Sequence, residues 1–598
     1  MISFSEAQIA AWLSPLIWPF VRVLALFTAG AAMHALCTRL GFEWRTSLIT
    51  ALGYLGCGYF IGDLQHLNWV WGAALLPWCA AGFLRFTSSG QWRELPASLL
   101  PFFLFMVSAH PGLMIGAMYF FLFWTIARCV GIDAIDRGDH SWLPMTRALA
   151  LAGSLFLICL GLAYGYGYNL LLTTRAPGGI FSGTSPGAFT ITSWISGFLP
   201  LATVDGDKFF NTDIALRNGY FGILPIGLII YAWAFQRNRW TIFWTIVMVF
   251  FLFISSDISI KWLPLVSQVR LSGEFRIFAI LAALMVSAPM LHQLFRSPGE
   301  KGNRFAAQFS VMTVFFALLA LAALVMVLSN QESVIRGRHF GSIKSFLQHL
   351  NVFDAIALQS GLQALICFGL WRSFRQASFR LRRIVLLVVV DMTLSAWMNL
   401  PYTGVGSRSV ADMQALIDGS PKGIPEPVTA TTISITSAYP STDSIIGNWG
   451  LYSKQIAWSR KAAYPMSLKE SADFFPTMSD SLMGSSTIFS AGQEKACDAV
   501  LNWEPDHLAF RTNLDAPITV GIKQTHHPGW QGDIDGQRVI VKSGWSGLNT
   551  IDVPAGPHRV DLYFRDPLAR WAQAFHFTIF LLLIILAYRL RRKEALPA

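Results

Sequence analysis

Charge is what this sequence has least of. Asp, Glu, Lys and Arg make up 13% of its 598 residues, about half the roughly 25% usual in soluble domains. The length alone would suggest about four soluble domains, but apolar runs of about 20 residues override that count. Cysteine is scarce too, and six of the seven (Cys37, Cys57, Cys79, Cys129, Cys159 and Cys367) lie in or beside apolar runs. Cys497 alone falls in the polar C-terminal region, so no disulfide framework is expected there, and no CxxC pair offers a metal site. The N-terminus lacks a basic n-region: Arg22, the first basic residue, already sits inside an apolar run. A cleavable signal peptide is therefore not expected. Also missing are a P-loop, a GxSxG elbow, an HExxH pair and a dinucleotide-binding glycine fingerprint.

What the chain has is hydrocarbon. It is 54% hydrophobic, with a mean hydropathy of +0.47, and its 22 Trp and 46 Phe suit a lipid-facing surface with interfacial aromatics. Apolar runs predict spans near 15–37, 45–62, 68–86, 95–109, 111–130, 148–172, 218–235, 240–256, 276–295, 306–329, 353–371, 381–400 and 572–589. Each crosses or nearly crosses a hydrocarbon core of ~30 Å. At His110-Pro111 the proline removes a backbone donor, predicting two short helices or one broken one. The expected fold is a polytopic α-helical membrane protein of about 13 spans with one water-soluble domain before the last span.

Charge orients the stack. Lys and Arg concentrate in one set of alternate short loops, from Arg39 and Arg45 through Arg372, Arg375, Arg380, Arg382 and Arg383 to the tail Arg589, Arg591, Arg592 and Lys593. The positive-inside rule makes those loops cytoplasmic. It also explains the net charge of +11 without nucleic acid, which is not an expected partner. Residues 401–571 are then outside, and so is the N-terminus.

Four regions are predicted: a helical bundle over 1–400, a Pro/Gly/Ser-rich linker over 401–427, a mainly-β domain over 428–571, and a final helix with a basic tail over 572–598. A helix is expected around Ser467 to Phe475. From Ala499 onward the alternation VLNW, HLAFRT, ITVGIKQ, GDIDGQRVIV, NTIDV and HRVDLYF reads as strands of a small antiparallel sandwich. Asp535-Gly536 between two such runs marks a two-residue hairpin.

Several polar residues fall at the outer ends of spans. Asp63 and His66 lie between the second and third, and His110 at the next outward turn. Singly, each reads as a helix-end residue reaching water. Together, a carboxylate and two imidazoles offer metal binding or proton transfer, although their spacing matches no defined metal motif. Arg270 and Arg276 flank Leu271-Ser272-Gly273 before a long span, where a guanidinium fork suits a phosphate head group. The competing reading pairs either arginine with Glu274 as a helix anchor. The loop 173–217, with Asp205, Asp207, Lys208, Asp213 and Arg217, is long enough for a lid. Its carboxylates offer ligands for a divalent cation, but the spacing is not that of an EF-hand, and a solvated loop is the ordinary reading. Asp391, inside VLLVVVDMTLSAW, is expected to face the bundle interior with a hydrogen-bond partner. His526 and His527, adjacent in a strand, point to opposite faces and chelate poorly.

HHPGWQGDIDGQRVIV, then IDVPAGPHRVDLYFRDP and a terminal span, resembles the end of YfhO-like bacterial membrane proteins. GYFIGDLQHLNWVWGAALLPW, VSAHPGLMIGAMY, NGYFGILPIGLIIYAW, WLPLVSQVRLSGEFRIFAILAAL and the aspartate of VVVDMTLSAW agree along nearly the whole chain. The resemblance implies a GT-C type glycosyltransferase bundle in the bacterial cytoplasmic membrane. Such enzymes move a sugar from a polyprenyl-phosphate carrier to a cell-envelope glycopolymer on the outer face. It implies that Arg270 and Arg276, with Glu274 between them, hold the donor phosphate, and that Asp63, His66 and His110 line a pocket beneath the sandwich. GT-C enzymes begin with a cytoplasmic N-terminus, one span and an acidic outer loop; this chain starts at what resembles the next span. A late start, a separately encoded N-terminal fragment or lost catalysis would each account for that, and no catalytic base is evident from the residues alone. The alternative function is a non-catalytic envelope-assembly or transport protein whose β domain binds glycan or a partner.

Overall fold

A computed structural model describes residues 17–132, 143–171, 187–200, 209–256, 271–296, 299–329, 343–376, 381–403, 488–490 and 497–595, each less a few internal positions. Short pieces at 173–174, 263–266, 269, 333, 335 and 467–468 complete it. By contacts the chain forms two compact units, one of residues 16–156, 183–407 and 580–598, the other of 1–15, 157–182 and 408–579.

Helices follow the apolar runs. They are α1 (Ile17–Arg39), α2 (Trp44–Leu55), α3 (Gly58–Gly62), α4 (Leu67–Ser89), α5 (Leu95–Ser108), α6 (Pro111–Cys129) and α7 (Leu143–Leu171). Then come α8 (Ile223–Phe235), α9 (Arg239–Ser255), α10 (Arg276–Arg296), α11 (Gly299–Ser329), α12 (Ile343–Gln348), α13 (Val352–Phe374), α14 (Leu381–Thr403) and α15 (Pro567–Ala595). Among the described residues, eight helices are long and apolar enough to cross a bilayer, in α1, α4, α6, α7, α10, α11, α13 and α15. The chain is thus a multi-pass membrane protein by the length and apolarity of its helices.

Two predicted spans are shorter than their apolar runs. The run 45–62 is two helices, because Gly56 and Cys57 leave helical geometry and the N–H of Gly58 donates to the carbonyl of Tyr220 at 2.6 Å. The run 218–235 becomes helical only at Ile223. Before it, the Asn218 carbonyl accepts from Arg276 Nε at 3.0 Å, and Gly222 takes a φ of 102° that glycine tolerates. Tertiary partners have claimed backbone groups that a helix would need. At His110-Pro111 the chain does break, with Pro111 as the first residue of α6.

The C-terminal unit holds the predicted sandwich. A five-stranded sheet is built from Ala499–Glu504 (β4), His507–Leu514 (β5), Trp530–Ile534 (β7), Gln537–Val539 (β8) and Gly556–Phe564 (β11), in the order β4-β5-β11-β7-β8. A four-stranded sheet orders Ile488–Ser490 (β3), Ile518–Thr525 (β6), Leu548–Val553 (β10) and Lys542–Ser543 (β9). Alternate residues of both sheets share one core, with Leu508, Phe510, Val560 and Leu562 from the first and Val520, Ile522, Ile551 and Val553 from the second. Ser467–Leu468 (β2), where a helix was expected, is a strand paired with Thr173–Thr174 (β1). Residues 469–475 of that expected helix, and most of 401–466, lie outside the described residues.

Asp535 and Gly536 both take positive φ, 50° and 83°, as a primed two-residue turn requires. Asp535 Oδ2 bonds His558 Nδ1 at 2.6 Å, and its Oδ1 accepts the Arg559 N–H at 2.8 Å. Those bonds hold the Asp535 carboxyl below its ordinary 3.8, and the same carboxylate, then the Ala555 carbonyl, raise His558 above its ordinary 6.5. The aspartate's contribution is present above pH 3.8 and fades as pH falls through its lowered value. The histidine's is complete below pH 6.5 and fades as pH rises through its raised value. Segment 532–539 should therefore be best protected in hydrogen exchange near pH 5. Protection should fall toward pH 8 in the native chain but not in His558→Gln. Equal pH dependence in both would refute the tether.

Candidate functional site

Four chain segments bring the predicted polar residues together in the larger unit. Asp63 caps the C-terminus of α3, His66 precedes α4 and His110 caps the N-terminus of α6. The 3₁₀ turns Ile214–Leu216 and Ser272–Phe275 add Asp213 and Glu274, and Arg276 opens α10.

Arg276 lies at the centre. Its side chain is 1% exposed, and its donors are committed to the protein. Nη2 reaches Asp63 Oδ2 and the Ala215 carbonyl, both at 2.7 Å. Nη1 reaches the Gly273 carbonyl at 2.8 Å, and Nε the Asn218 carbonyl. The Tyr59 ring covers one face at 4.6 Å. The arginine thus fastens α3, α10, both turns and the start of α8 to one point. The geometry gives it an anchoring role within the protein rather than a grip on a phosphate outside. Its ion-pair partner is Asp63, 213 residues away, not the neighbouring Glu274 expected as the alternative. Arg270 lies outside the described residues, as do Asp205, Asp207 and Lys208.

Close approach at this knot depends on glycine. A Cβ on Gly62 would stand 2.5 Å from the Ala215 carbonyl oxygen and 3.5 Å from Arg276 Nη2, and neither can retreat without losing its bond. Gly62→Ala should therefore cost about 1–3 kcal/mol, read as a lower melting temperature of the detergent-purified protein. A wild-type melting curve would show that the knot yields.

Glu274, spared the arginine, binds His110. His110 Nδ1 lies 2.7 Å and 2.8 Å from the two carboxylate oxygens. It also lies 3.3 Å from the N–H of Gly112, and one ring nitrogen cannot donate to the carboxylate while accepting that bond. The shorter, charge-assisted carboxylate contact prevails, so Nδ1 carries the hydrogen and Nε2 keeps its lone pair. The Glu274 side chain is fully buried while that of His110 is 32% exposed. The pair therefore has an inner orienting member and an outer reactive one. Trp69 packs between the two imidazoles, with ring centroids 4.5 Å from His66 and 5.6 Å from His110.

Several buried atoms here have no hydrogen-bond partner: Asp63 Oδ1, Asn218 Nδ2 and the Tyr59 hydroxyl. Buried polar atoms are ordinarily satisfied by protein or water, so the site has capacity in hand for a polar ligand. No group of three or more His, Cys, Asp or Glu placed to hold a metal ion occurs among the described residues. Sequence reasoning placed Glu274 beside the arginines; its pairing with His110, 164 residues away, left no local signal. Nor did the sequence mark Tyr59 or Asn218, which carry no motif. Asp391 does face the interior, accepting from the Tyr220 hydroxyl at 2.5 Å and the Ile223 N–H at 2.9 Å. His526 and His527 diverge, the first to Asn549 Oδ1 at 3.0 Å and the second against the Phe564 ring at 5.1 Å.

No protein-family model, no curated protein and no solved structure matches this chain.

Proposed function

We propose that the chain is a membrane glycosyltransferase that takes a sugar from a lipid-phosphate carrier, with the His110–Glu274 pair as its general base. The observation that carries this reading is the pair itself, a partly exposed imidazole held through Nδ1 by a fully buried carboxylate. Such an arrangement fixes the tautomer and stabilises the imidazolium when Nε2 takes a proton. In the proposed step an acceptor hydroxyl attacks the anomeric carbon, a C–O bond forms there, and the bond to the carrier phosphate breaks. The hydroxyl proton passes to His110 Nε2, and the carrier phosphate leaves with the bonding electrons. The YfhO-like resemblance supplies the substrate class, a polyprenyl-phosphate sugar and an envelope glycopolymer acceptor, with the bacterial cytoplasmic membrane as the location. It also supplies the thirteen-span GT-C topology and the external β domain.

The β domain as a glycan reader fits less well. Its polar sheet face presents Tyr563 and His507, but their rings stack on each other at 4.4 Å. Arg565 lies 5.9 Å from the centre of the Tyr563 ring, leaving little open aromatic face for a sugar.

The test supplies purified protein in native lipids with radiolabelled polyprenyl-phosphate hexoses and extracted envelope glycopolymer. Label should pass to the polymer and free carrier phosphate should appear in equal amount. Absence of transfer from every hexose donor, with folded protein present, would overturn the reading.

A further inference from the structure

α13 and α14 carry a second set of buried polar side chains, apart from the arginine knot. At one level Gln363 Nε2 donates to Asp391 Oδ1 at 3.1 Å and to the Tyr220 hydroxyl oxygen at 2.8 Å. At another, Gln359 Nε2 and Asn399 Nδ2 converge on the Pro200 carbonyl at 2.8 Å and 3.0 Å. Asp391, Ser395 and Asn399, spaced by four, share one face of α14. On α13, Ser360 adjoins Gln359 and precedes Gln363 by three, again one face. Both serines therefore lie between the two cross-links, and both are buried, at 0% and 1% exposure for Ser360 and Ser395.

Four buried oxygens of this seam are left over. Gln359 Oε1, Gln363 Oε1, Ser360 Oγ and Ser395 Oγ all lack a partner. The amide orientations are fixed, since each nitrogen must face its acceptor, and that leaves the oxygens over. Many Ser and Thr hydroxyls in these helices turn back onto their own carbonyls, as Thr87, Ser108, Thr125 and Ser287 do, and Ser373 within α13 itself, although buried Thr46 and Ser98 stand alone without a partner. Ser360 and Ser395 do not turn back either. Asp391, 2% exposed, receives its bonds from a phenol, an amide and a backbone N–H. Those donors occupy its lone pairs but supply no formal positive charge.

We propose that the seam between α13 and α14 binds one monovalent alkali cation, with Ser360, Ser395 and the free oxygens of Gln359 and Gln363 as its ligands and Asp391 as its counter-charge. Hard oxygen donors suit such an ion. One carboxylate in a low-dielectric interior balances one positive charge, which favours a monovalent over a divalent ion. The cation ties α13 to α14 and does not depend on the transferase reading.

The test is equilibrium binding of ²²Na⁺ to the full-length protein in detergent, with choline chloride holding ionic strength constant. Saturable binding of about one ion per chain is expected. Asp391→Asn should weaken it by tenfold or more, as removal of metal-site partners commonly does. The Ser360→Ala/Ser395→Ala variant, which removes only two hydroxyls, should do the same and keeps the test open if Asp391→Asn fails to fold. No saturable binding to the native chain would show a seam filled by water alone and overturn the proposal. Unchanged affinity in the serine variant would overturn it as well.

Discussion

Arg276→Ala should empty the membrane fraction of folded protein, or leave a form melting far below the native chain. The substitution strands Asp63, whose side chain is wholly buried, and unpairs the carbonyls of Ala215, Asn218 and Gly273 together. Breaking a buried ion pair from one side costs about 3–5 kcal/mol through the uncompensated charge alone. The orphaned carbonyls add to that. Arg276→Lys should fare little better, because a single ammonium cannot reproduce a planar fork reaching four acceptors in different directions. Asp63→Asn combined with Arg276→Ala should recover part of the loss, since no naked carboxylate then remains. Fluorescence-detected gel filtration of detergent extracts measures all three. Native yield and melting for Arg276→Ala would show that the knot does not hold the bundle.

In His110→Ala, transfer per folded protein should fall by about 10²–10⁴-fold, the ordinary contribution of a general base. The substitution also leaves the fully buried Glu274 carboxylate without its histidine, which costs about 1–3 kcal/mol, so melting should fall too and rates are compared per folded protein. Glu274→Gln keeps the shape but cannot stabilise an imidazolium, so it should lower kcat with little change in KM for the donor. The double variant should be no slower than His110→Ala, because members of one catalytic unit are not additive. Multiplying effects would indicate two independent roles and break the pair apart. Native rates in His110→Ala would remove the base from the mechanism.

The fold was largely legible because a bilayer makes simple demands. Runs of apolar residues have few alternatives to helix, and the alternating strands around Asp535-Gly536 are as plain as in any soluble domain. The misreadings fall where backbone is claimed by a distant partner. Residues 218–222 are as apolar as a helix start, yet their carbonyls serve Arg276 and Gly58. The site was legible as a list of residues and illegible as a set of pairs. Asp63, His66, His110, Glu274 and Arg276 all stood out as polar groups at the ends of apolar runs. Which carboxylate takes the arginine and which the histidine is decided by packing across 213 and 164 residues, a separation at which local sequence carries no instruction. Arg276, the most arresting candidate for a ligand contact, is buried and bonded within the protein.

That same separation sets a clock on synthesis. At the usual 5–20 residues per second, Arg276 leaves the ribosome about 10–40 s after Asp63. During that interval the end of α3 holds a carboxylate whose arginine partner in the finished knot does not yet exist. The early helices must therefore keep that end wet, or lean on a chaperone, until α10 arrives. A nascent chain halted before α10 should be a ready substrate for membrane proteases, whereas one halted just after it should persist.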